Sequence, residues 1–371
     1  MFKKFLVVFS FVLFYFLLNP AVITAQDPEI TPVQDFQQAQ IIKIIEEGEK
    51  LVFDTNRPYQ LVEAKILSGE NTGEIVKIEH GSRISLGKDQ KVKAGDKVIL
   101  YRGGFNDQVD DYQIIDKYRL DKVLYFVIFF FVLVLGVSRI KGLGSLIGLA
   151  ISLFIILKYI VPEILAGKDP VLISIIGSSI IMFSTIYLSH GFSKKTTIAL
   201  LSTIITLVIT GLLATFSIAL TRLTGLGDEV AYSLTFGTQT EGLNFKGLLL
   251  GGMIIGALGI LDDVTTTQSS SIQELSRANK EYHFLHLLKS GFNIGKDHIS
   301  SVVNTLFLAY TGASLPLLIL LVLNPSEQPL WFLLNNEPIA EEIVRTLVGS
   351  IGLVLAVPIT TLIAAYAFSK K

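Results

Sequence analysis

The sequence contains no cysteine among its 371 residues. Disulfide bonds, thiolate metal sites and cysteine nucleophiles are therefore excluded, and several classes of enzyme with them. Charged residues are also scarce, at 17% of the chain, and their signs nearly cancel to a net charge of -1. Proteins that bind nucleic acids usually have a strongly basic surface, and this chain has no excess of positive charge. No nucleic-acid partner is therefore expected.

Hydrophobic residues make up 50% of the chain, and the mean hydropathy is +0.57. This is too apolar for a soluble domain of ordinary composition. After residue 122 come apolar runs, each close in length to the ~20 residues that a helix needs to cross a bilayer. They lie at 123–138, 142–161, 171–189, 197–220, 247–267, 299–323 and 343–368. The sequence therefore predicts an α-helical integral membrane bundle of about seven transmembrane helices over residues 122–371, in contact with the lipid bilayer.

The first 25 residues have the layout of a secretory signal peptide. Lys3 and Lys4 precede an apolar run from Phe5 to Leu18, and the small residue Ala25 suits a cleavage site. An uncleaved anchor helix is the alternative, because a run of about 14 apolar residues is short for a membrane span but not too short to serve as one.

Residues 27–118 are charged and interrupted by glycine. Apolar and polar residues alternate in the runs LVEAKIL, GEIVKIEHG, KVKAGDKVILYRGG and DYQIIDKYR. Alternation with period two, bounded by Gly, Asn and Asp, is typical of strands joined by turns. These residues are predicted to form a small β-rich domain, a barrel or an OB-like fold.

The basic residues predict the orientation. If the β-domain is extracytoplasmic, the outer connections hold only Lys168, Arg222 and Lys246. The inner connections then hold Arg139, Lys141, Lys194, Lys195, Arg277, Lys280, Lys289, Lys296, Lys370 and Lys371. This excess follows the positive-inside rule and predicts a cytoplasmic C-terminus.

Two carboxylates interrupt the fifth apolar run, in the segment GALGILDDVTTTQSSSIQEL at 256–275. The helix enters the membrane near Gly247, and the 15 residues to Leu261 cover only about 22 Å of a ~30 Å hydrocarbon core. Asp262 and Asp263 are therefore expected in the inner third of the membrane. Ionisable groups there are costly and usually face a bundle interior or a water-filled path. Between Lys246 and Arg277 the segment has no basic residue, so partners must come from other helices.

Helical spacing places Asp263, Thr267, Ser270 and Glu274 on one face. Counted from the expected entry points, hydroxyl and amide residues of four other runs lie about 7 to 12 Å from the inner boundary. They are Ser184, Thr185, Ser202, Thr203, Asn304, Thr305, Thr360 and Thr361, the last two after Pro358. The pattern predicts an inward-facing polar cavity with Asp262 and Asp263 as its only acids. The alternative is that these hydroxyls serve only close helix packing, as we expect for Gly144 with Gly148 and for Gly252 with Gly256.

Enzymatic chemistry is not predicted. Neighbouring residues point about 100° apart on a helix, so Asp262 and Asp263 cannot share a catalytic water as a facing pair does. An HExxH motif is absent, and His283 and His286 are expected at the membrane interface rather than on a metal. Neither a metal nor a cofactor is therefore expected.

Three blocks of the sequence resemble conserved segments of the YibE/F-like family of bacterial multi-pass membrane proteins. They are GALGILDDVTTTQSSSIQEL, NTLFLAYTGASLP at 304–316 and IGLVLAVPITTLIAA at 351–365, and the resemblance extends from about Asp111 to the end. The residues that match the pattern of the family are Gly256, Ala257, Gly259, Asp263, Glu274, Asn304, Thr305, Tyr310 and Gly312. At the position of Asp262, by contrast, many members have an apolar residue. The resemblance implies a location in the bacterial plasma membrane. It does not imply a particular reaction, because the family has no established one.

The sequence thus favours a permease for an ion or small polar solute, with Asp263 as the protonatable coupling or ligand residue and Asn304 facing it. The predicted site residues are Asp262, Asp263, Thr267, Ser270, Glu274, Asn304, Thr305 and Tyr310. The alternative is an accessory or scaffold protein that binds an envelope protein through residues 27–118. Homo-oligomerisation is compatible with either function.

Overall fold

The computed structural model describes residues 35–52, 55–81, 86, 90–102, 112–237, 240, 242–324 and 327–369. The predicted signal segment 1–25 lies outside these residues. The described chain divides into two compact units, with the boundary between Leu133 and Val134. The strands belong to the first unit and the helical bundle to the second.

The strands form one antiparallel five-stranded sheet. They are β1 (Asp35–Val52), β2 (Thr55–Ile66), β3 (Ile75–His80), β4 (Lys97–Arg102) and β5 (Tyr112–Lys117), in the order β3-β2-β1-β4-β5. The two outer strands of this order, β3 and β5, also contact each other, so the sheet curls around a core. Val62, Ile78, Val98 and Leu100 are among the side chains buried there. The predicted β-rich, barrel-like domain is confirmed.

The sequence runs identified above correspond to β2, β3, β4 and β5, whereas β1 was not predicted. Its pairing with β2 shifts register between Ile41 and Lys43 and again between Ile44 and Glu46. Irregularities of this kind place two residues of one strand opposite one residue of its partner. Simple alternation is therefore lost in the stretch IIKII, where Ile41 is buried but Ile42 and Ile45 are exposed.

The helical unit has the following elements, in chain order. They are α1 (Leu120–Ile155), a π-helical turn (Ile156–Ile160), α2 (Val161–Leu165), α3 (Pro170–His190), α4 (Lys194–Thr221), α5 (Glu229–Ser233) with a 3₁₀ turn (Leu234–Phe236), α6 (Phe245–Ala278), α7 (Phe284–Ala313), α8 (Leu315–Leu323), α9 (Leu330–Asn335) and α10 (Glu337–Phe368). Among the described residues, six helical segments are long and apolar enough to cross a membrane, or seven if the bent pair α7–α8 is one span. The predicted helical membrane bundle is confirmed.

The first two predicted spans belong to one helix with a break. In α1, Arg139 has φ 50° and ψ -129°, outside the helical region. The first apolar segment, Leu120–Ile140, ends just after this break, and the second, Gly142–Leu165, continues through the π-helical turn to the end of α2.

Helix α6 lies at the centre of the bundle, where it contacts α3, α4, α7 and α10. Ile254, Leu258 and Leu261 of α6 are buried at helical spacing and pack in one cluster with Leu207 of α4 and Val357 of α10. Bulky apolar side chains at such spacing bury one face of a helix. The segment containing Asp262 and Asp263 is thereby placed in the middle of the unit.

The predicted span 299–323 differs from the structure in two ways. Helix α7 begins at Phe284, and the helical path bends by 69° between Ala313 and Leu315. Proline at 316 has no N–H for the Gly312 carbonyl, and it disfavours the helical conformation of the preceding residue. The span is therefore broken at Ser314.

The predicted start of the last span, residue 343, is wrong, because α10 begins at Glu337. Asn336 occupies the N-cap position and Pro338 lies in the first turn, where its missing N–H costs nothing. Glu341 and Glu342 consequently belong to a spanning helix rather than to a loop. Pro358 lies within α10 without ending it.

Candidate functional site

Asp262 and Asp263 occupy different environments on α6. Asp262 is half-buried, and its Oδ1 is buried without a hydrogen-bond partner among the residues that the structure describes. Asp263 is exposed. The difference follows from the 100° step between helix neighbours, which turns one carboxylate toward the bundle and the other away from it.

A histidine of a neighbouring helix lies near Asp262. His190, the last residue of α3, is close enough to Asp262 to interact with it electrostatically, without a hydrogen bond or ion pair between them in the described structure. This histidine was not predicted because only Lys and Arg were counted as counter-ions. The available signal was a histidine at the predicted inner end of the third span, where Asp262 was also expected.

The predicted stripe on α6 does share one face, but this face points away from the interior of the chain. Asp263, Thr267 and Glu274 are exposed, and Ser270 is half-buried. The buried polar residues of α6 occupy the neighbouring positions Thr265, Thr266, Gln268 and Ser269. The buried polar side chains of α6 are therefore the neighbours of the residues of the predicted stripe, not those residues themselves.

The predicted residues of α7 are also mostly peripheral. Asn304 and Thr305 are exposed, and Thr305 donates to the Ser301 carbonyl of its own helix at 3.0 Å. Within the described chain no hydrogen bond joins either residue to Asp263. Tyr310 alone approaches α6, since a Cβ added at Gly256 would lie 3.1 Å from its hydroxyl oxygen.

Buried hydroxyls and one amide form a polar seam where α4, α6 and α10 meet. The seam consists of Ser202, Thr203, Thr206, Thr210, Thr265, Gln268 and Thr361, all buried. The hydroxyls of Thr203 and Thr265 are 2.7 Å apart. Gln268 Nε2 donates to Thr361 Oγ1 at 2.7 Å and to the Gly291 carbonyl of α7 at 2.8 Å. Thr203 of α4 and Thr361 of α10, two of the predicted polar residues, therefore contact α6 in the interior of the bundle.

A second charged group lies at the other end of the bundle, on α10. Glu341 is only 3% exposed and accepts a hydrogen bond from the Gly227 N–H at 3.0 Å. Glu342 forms an ion pair with Arg345 at 2.6 Å and accepts from Ser314 Oγ at 2.9 Å. The hydrogen bond from Ser314 connects α10 to the break between α7 and α8.

This group was missed because the last predicted span began only at residue 343. The prediction that Asp262 and Asp263 are the only acids of an inward-facing polar cavity concerns the other end of the bundle and stays a prediction. The signal was present in the sequence, because Asn336-Glu337-Pro338 is a typical helix start and Arg345 follows Glu341 by four residues and Glu342 by three.

Two cavities flank the first turns of α10. The first has a volume of about 210 Å³ and is lined by Glu341, Arg345, Asp228, Gly252 and apolar residues that include Leu249. The second, of about 170 Å³, lies at the α7–α8 bend, where Tyr310, Ser314 and Glu342 contribute to its lining.

His283 and His286, which were expected at the membrane interface, lie at the start of α7. His286 stacks on Tyr282 with ring centroids 5.8 Å apart, and His283 occupies the N-cap position of α7. No group of three or more His, Asp or Glu side chains in the described part of the chain could hold a metal ion.

Comparison with known proteins matched both units to one family. Residues 126–370 match the family described as YibE/F-like protein, and residues 32–117 match the YibE/F family N-terminal domain. No curated protein and no solved structure gave a match. Since the first match alone covers more than half of the sequence, this multi-pass membrane protein belongs to the YibE/F family.

Proposed function

We propose that the protein is a non-enzymatic permease for a small cation, and that Asp262 binds the transported or coupling ion. The observation that carries this proposal is the buried Asp262 Oδ1, which has no hydrogen-bond donor among the described residues. His190 lies near Asp262 but forms no hydrogen bond or ion pair with it in the described structure, and a carboxylate inside a membrane helix is unfavourable by at least ~2.5 kcal/mol. A bound proton or cation would remove that cost.

Two further features support transport. The polar seam continues from the level of Asp262 toward the outer half of α4 through Thr206 and Thr210, both fully buried. The α7–α8 span is broken, and discontinuous membrane helices commonly form the substrate and ion sites of secondary transporters. Buried polar groups on several helices, together with a broken span, support a polar route through the bundle.

The proposed topology places residues 27–118 outside a bacterial plasma membrane and the C-terminus in the cytoplasm. The signal-like N-terminus and the excess of basic residues in the inner connections support this orientation. Asp262 and His190 would then lie on the cytoplasmic side, and the group around Glu341 on the outer side.

The test uses the full chain reconstituted into liposomes that contain a pH-sensitive dye, with proton, Na⁺ and K⁺ gradients imposed in turn. The wild type should dissipate at least one gradient faster than protein-free liposomes. Asp262→Asn should abolish this flux, and Asp263→Asn, a matched change one residue away, should retain it.

Wild-type flux equal to that of empty liposomes for all three ions would refute the cation permease. Loss of flux in Asp263→Asn with retention in Asp262→Asn would instead assign the ion to Asp263, as predicted from the sequence. Unchanged flux in both variants would exclude the Asp pair from transport.

A second function, that of an envelope scaffold, is favoured by one feature of the β-domain. Phe36 is 56% exposed and packs against Tyr101 with ring centroids 5.4 Å apart, although both belong to strands of a folded sheet. Exposed aromatic pairs are frequent in protein interfaces. Envelope proteins crosslinked to the wild type but lost in Phe36→Ser, with ion flux absent, would support this function over transport.

A further inference from the structure

We infer that the 210 Å³ cavity beside the outer end of α10 is a binding site for a small organic cation that carries a primary ammonium group. This inference deepens the permease proposal, on which it rests for its role in transport. The cavity is formed by the chain around α5, the outer half of α6 and the first turns of α10.

Glu341 is the group best placed to bind a cation. Its side chain is almost fully buried; its carboxyl group accepts a hydrogen bond from the Gly227 N–H and lies within hydrogen-bonding reach of the Glu337 carboxyl group. A carboxylate can accept about four hydrogen bonds, so much of its capacity is left for a ligand. The loop can approach this closely because residue 227 is glycine, where a Cβ would lie 2.8 Å from the Glu341 carboxyl carbon.

The other charged groups do not neutralise Glu341. Arg345 also lines the cavity, but its guanidinium is paired with Glu342 at 2.6 Å. Asp228 lines the cavity as well, and its Oδ1 caps α5 by accepting from the Val230 and Ala231 N–H groups. Two carboxylates and one guanidinium therefore line the cavity, and the guanidinium is already paired with a third carboxylate, that of Glu342. This excess of negative charge favours a cation over an anion.

The other residues that line the cavity indicate whether the bound cation is inorganic or organic. They are Val230, Ala231, Leu234, Leu248 and Leu249 with Gly225 and Gly252. A metal ion such as Ca²⁺ needs six or more oxygen ligands, which these residues do not supply. A primary ammonium can donate to Glu341 while its hydrocarbon part contacts the leucines, as is usual for small-molecule sites with few polar groups.

Gly252 provides a way to block the cavity without disturbing the fold. A Cβ at this position would meet nothing within 4 Å among the described residues, so Gly252→Leu should fill the cavity without a clash. Gly259 is the matched control. It lies about two turns along the same exposed face of α6, is equally unobstructed and is not among the lining residues.

The experiment measures the thermal unfolding midpoint of the purified full chain in detergent, with n-propylammonium chloride, sodium propionate or sodium chloride at equal ionic strength. A ligand that binds only the folded state raises the midpoint. Propylammonium should raise it for the wild type and for Gly259→Leu. The rise should vanish in Gly252→Leu and in Glu341→Gln, which keeps an oxygen acceptor for the Gly227 N–H.

A rise with propionate rather than propylammonium would overturn the inference in favour of an anion site at Arg345. Absence of any rise in the wild type, or an equal rise in Gly252→Leu, would also overturn it. Asp262→Asn should retain the propylammonium effect, so failure of the transport test and failure of this binding test can be told apart. The midpoints without probe report whether each variant is folded.

Discussion

The side-chain amide of Gln268 on α6 donates to the hydroxyl of Thr361 on α10, with Nε2 and Oγ1 2.7 Å apart. The same nitrogen donates to the Gly291 carbonyl on α7 at 2.8 Å. One side chain thus joins three helices in the interior. Its Oε1, however, is buried without a partner in the described structure.

Gln268→Met should therefore lower the free energy of unfolding by about 1 kcal/mol. Hydrogen bonds between membrane helices contribute about 0.6 kcal/mol on average, and removal of the unpaired Oε1 offsets part of the loss of two. Unfolding in bicelles would measure the effect, with Gln273→Met on the same helix as the control. An equal loss of stability in both variants would show that the bonds of Gln268 are not responsible.

Gly144→Ala should destabilise the helical unit by about 1–3 kcal/mol, the usual cost of overpacking. A Cβ at Gly144 would lie 2.7 Å from the Leu188 carbonyl oxygen of α3, which is backbone and cannot rotate away. The control is Gly136→Ala in the same helix, where a Cβ meets nothing within 4 Å. It should be neutral or stabilising because alanine is the better helix former. Equal thermal midpoints of the two variants would contradict the close approach of α1 and α3.

The β-domain should lose stability as the pH falls below about 6.5. Burial lowers the pKa of His80 from its ordinary value of 6.5, and the positive charge of Lys117 lowers it further. The contact of Nε2 with the Gln90 carbonyl oxygen at 3.3 Å raises the pKa and offsets only part of this effect. The unfolded chain therefore binds a proton more readily than the folded one. The loss begins near the unfolded pKa and is complete once the pH has passed below the folded pKa.

Amide hydrogen exchange in β2 and β3 of the full chain, corrected for the intrinsic pH dependence, would measure this effect. His80→Gln should flatten the profile between pH 7 and pH 5 because glutamine does not titrate there. The exposed His283→Gln should leave the profile of the wild type unchanged. A steep profile that persists in His80→Gln would assign the pH dependence to another group.

Thr203→Val and Thr206→Val should differ, although both threonines are fully buried on α4. The Thr203 hydroxyl reaches Thr265 of α6, whereas the Thr206 hydroxyl donates to the Ser202 carbonyl of its own helix at 2.8 Å. Thr203→Val should lower the free energy of unfolding by about 0.6–1.7 kcal/mol. Thr206→Val should change it little, and the opposite ranking in bicelles would refute the contact with Thr265.

The apolar runs were sufficient to predict the membrane helices, because a bilayer demands both length and hydrophobicity. Helix ends depend on shorter signals. Pro316 interrupts a run that is apolar on both sides, and Asn336 with Pro338 begins a helix inside a segment that looks polar. Hydropathy alone therefore placed the start of α10 too late and left Glu341 outside the membrane helices.

The site was predicted only in part because helical spacing defines faces without deciding which face is inside. Asp263 and Thr267 share a face with Gly252, Gly256 and Gly259, and this face is exposed. The bulkier face of Ile254, Leu258 and Leu261 is buried. Side-chain size along α6 would have indicated the interior. The proximity of His190 to Asp262 depends on how two helices align, which a single sequence does not encode locally.

The hydroxyls of α4 have a mechanical consequence. Ser202, Thr206 and Thr210 each donate to the carbonyl four residues earlier in their own helix. Between Lys195 and Thr221, within the described structure, no side-chain hydrogen bond ties α4 to α10, although a Cβ at Gly352 would lie 2.5 Å from Thr210 Oγ1. In the described structure the hydrogen bonds that join the two helices lie at their ends, where Lys194 of α4 donates to the Ala367 carbonyl and Glu337 of α10 accepts from Thr224 just beyond α4. Along the stretch between these ends the two helices resist relative movement only through the shapes of their surfaces.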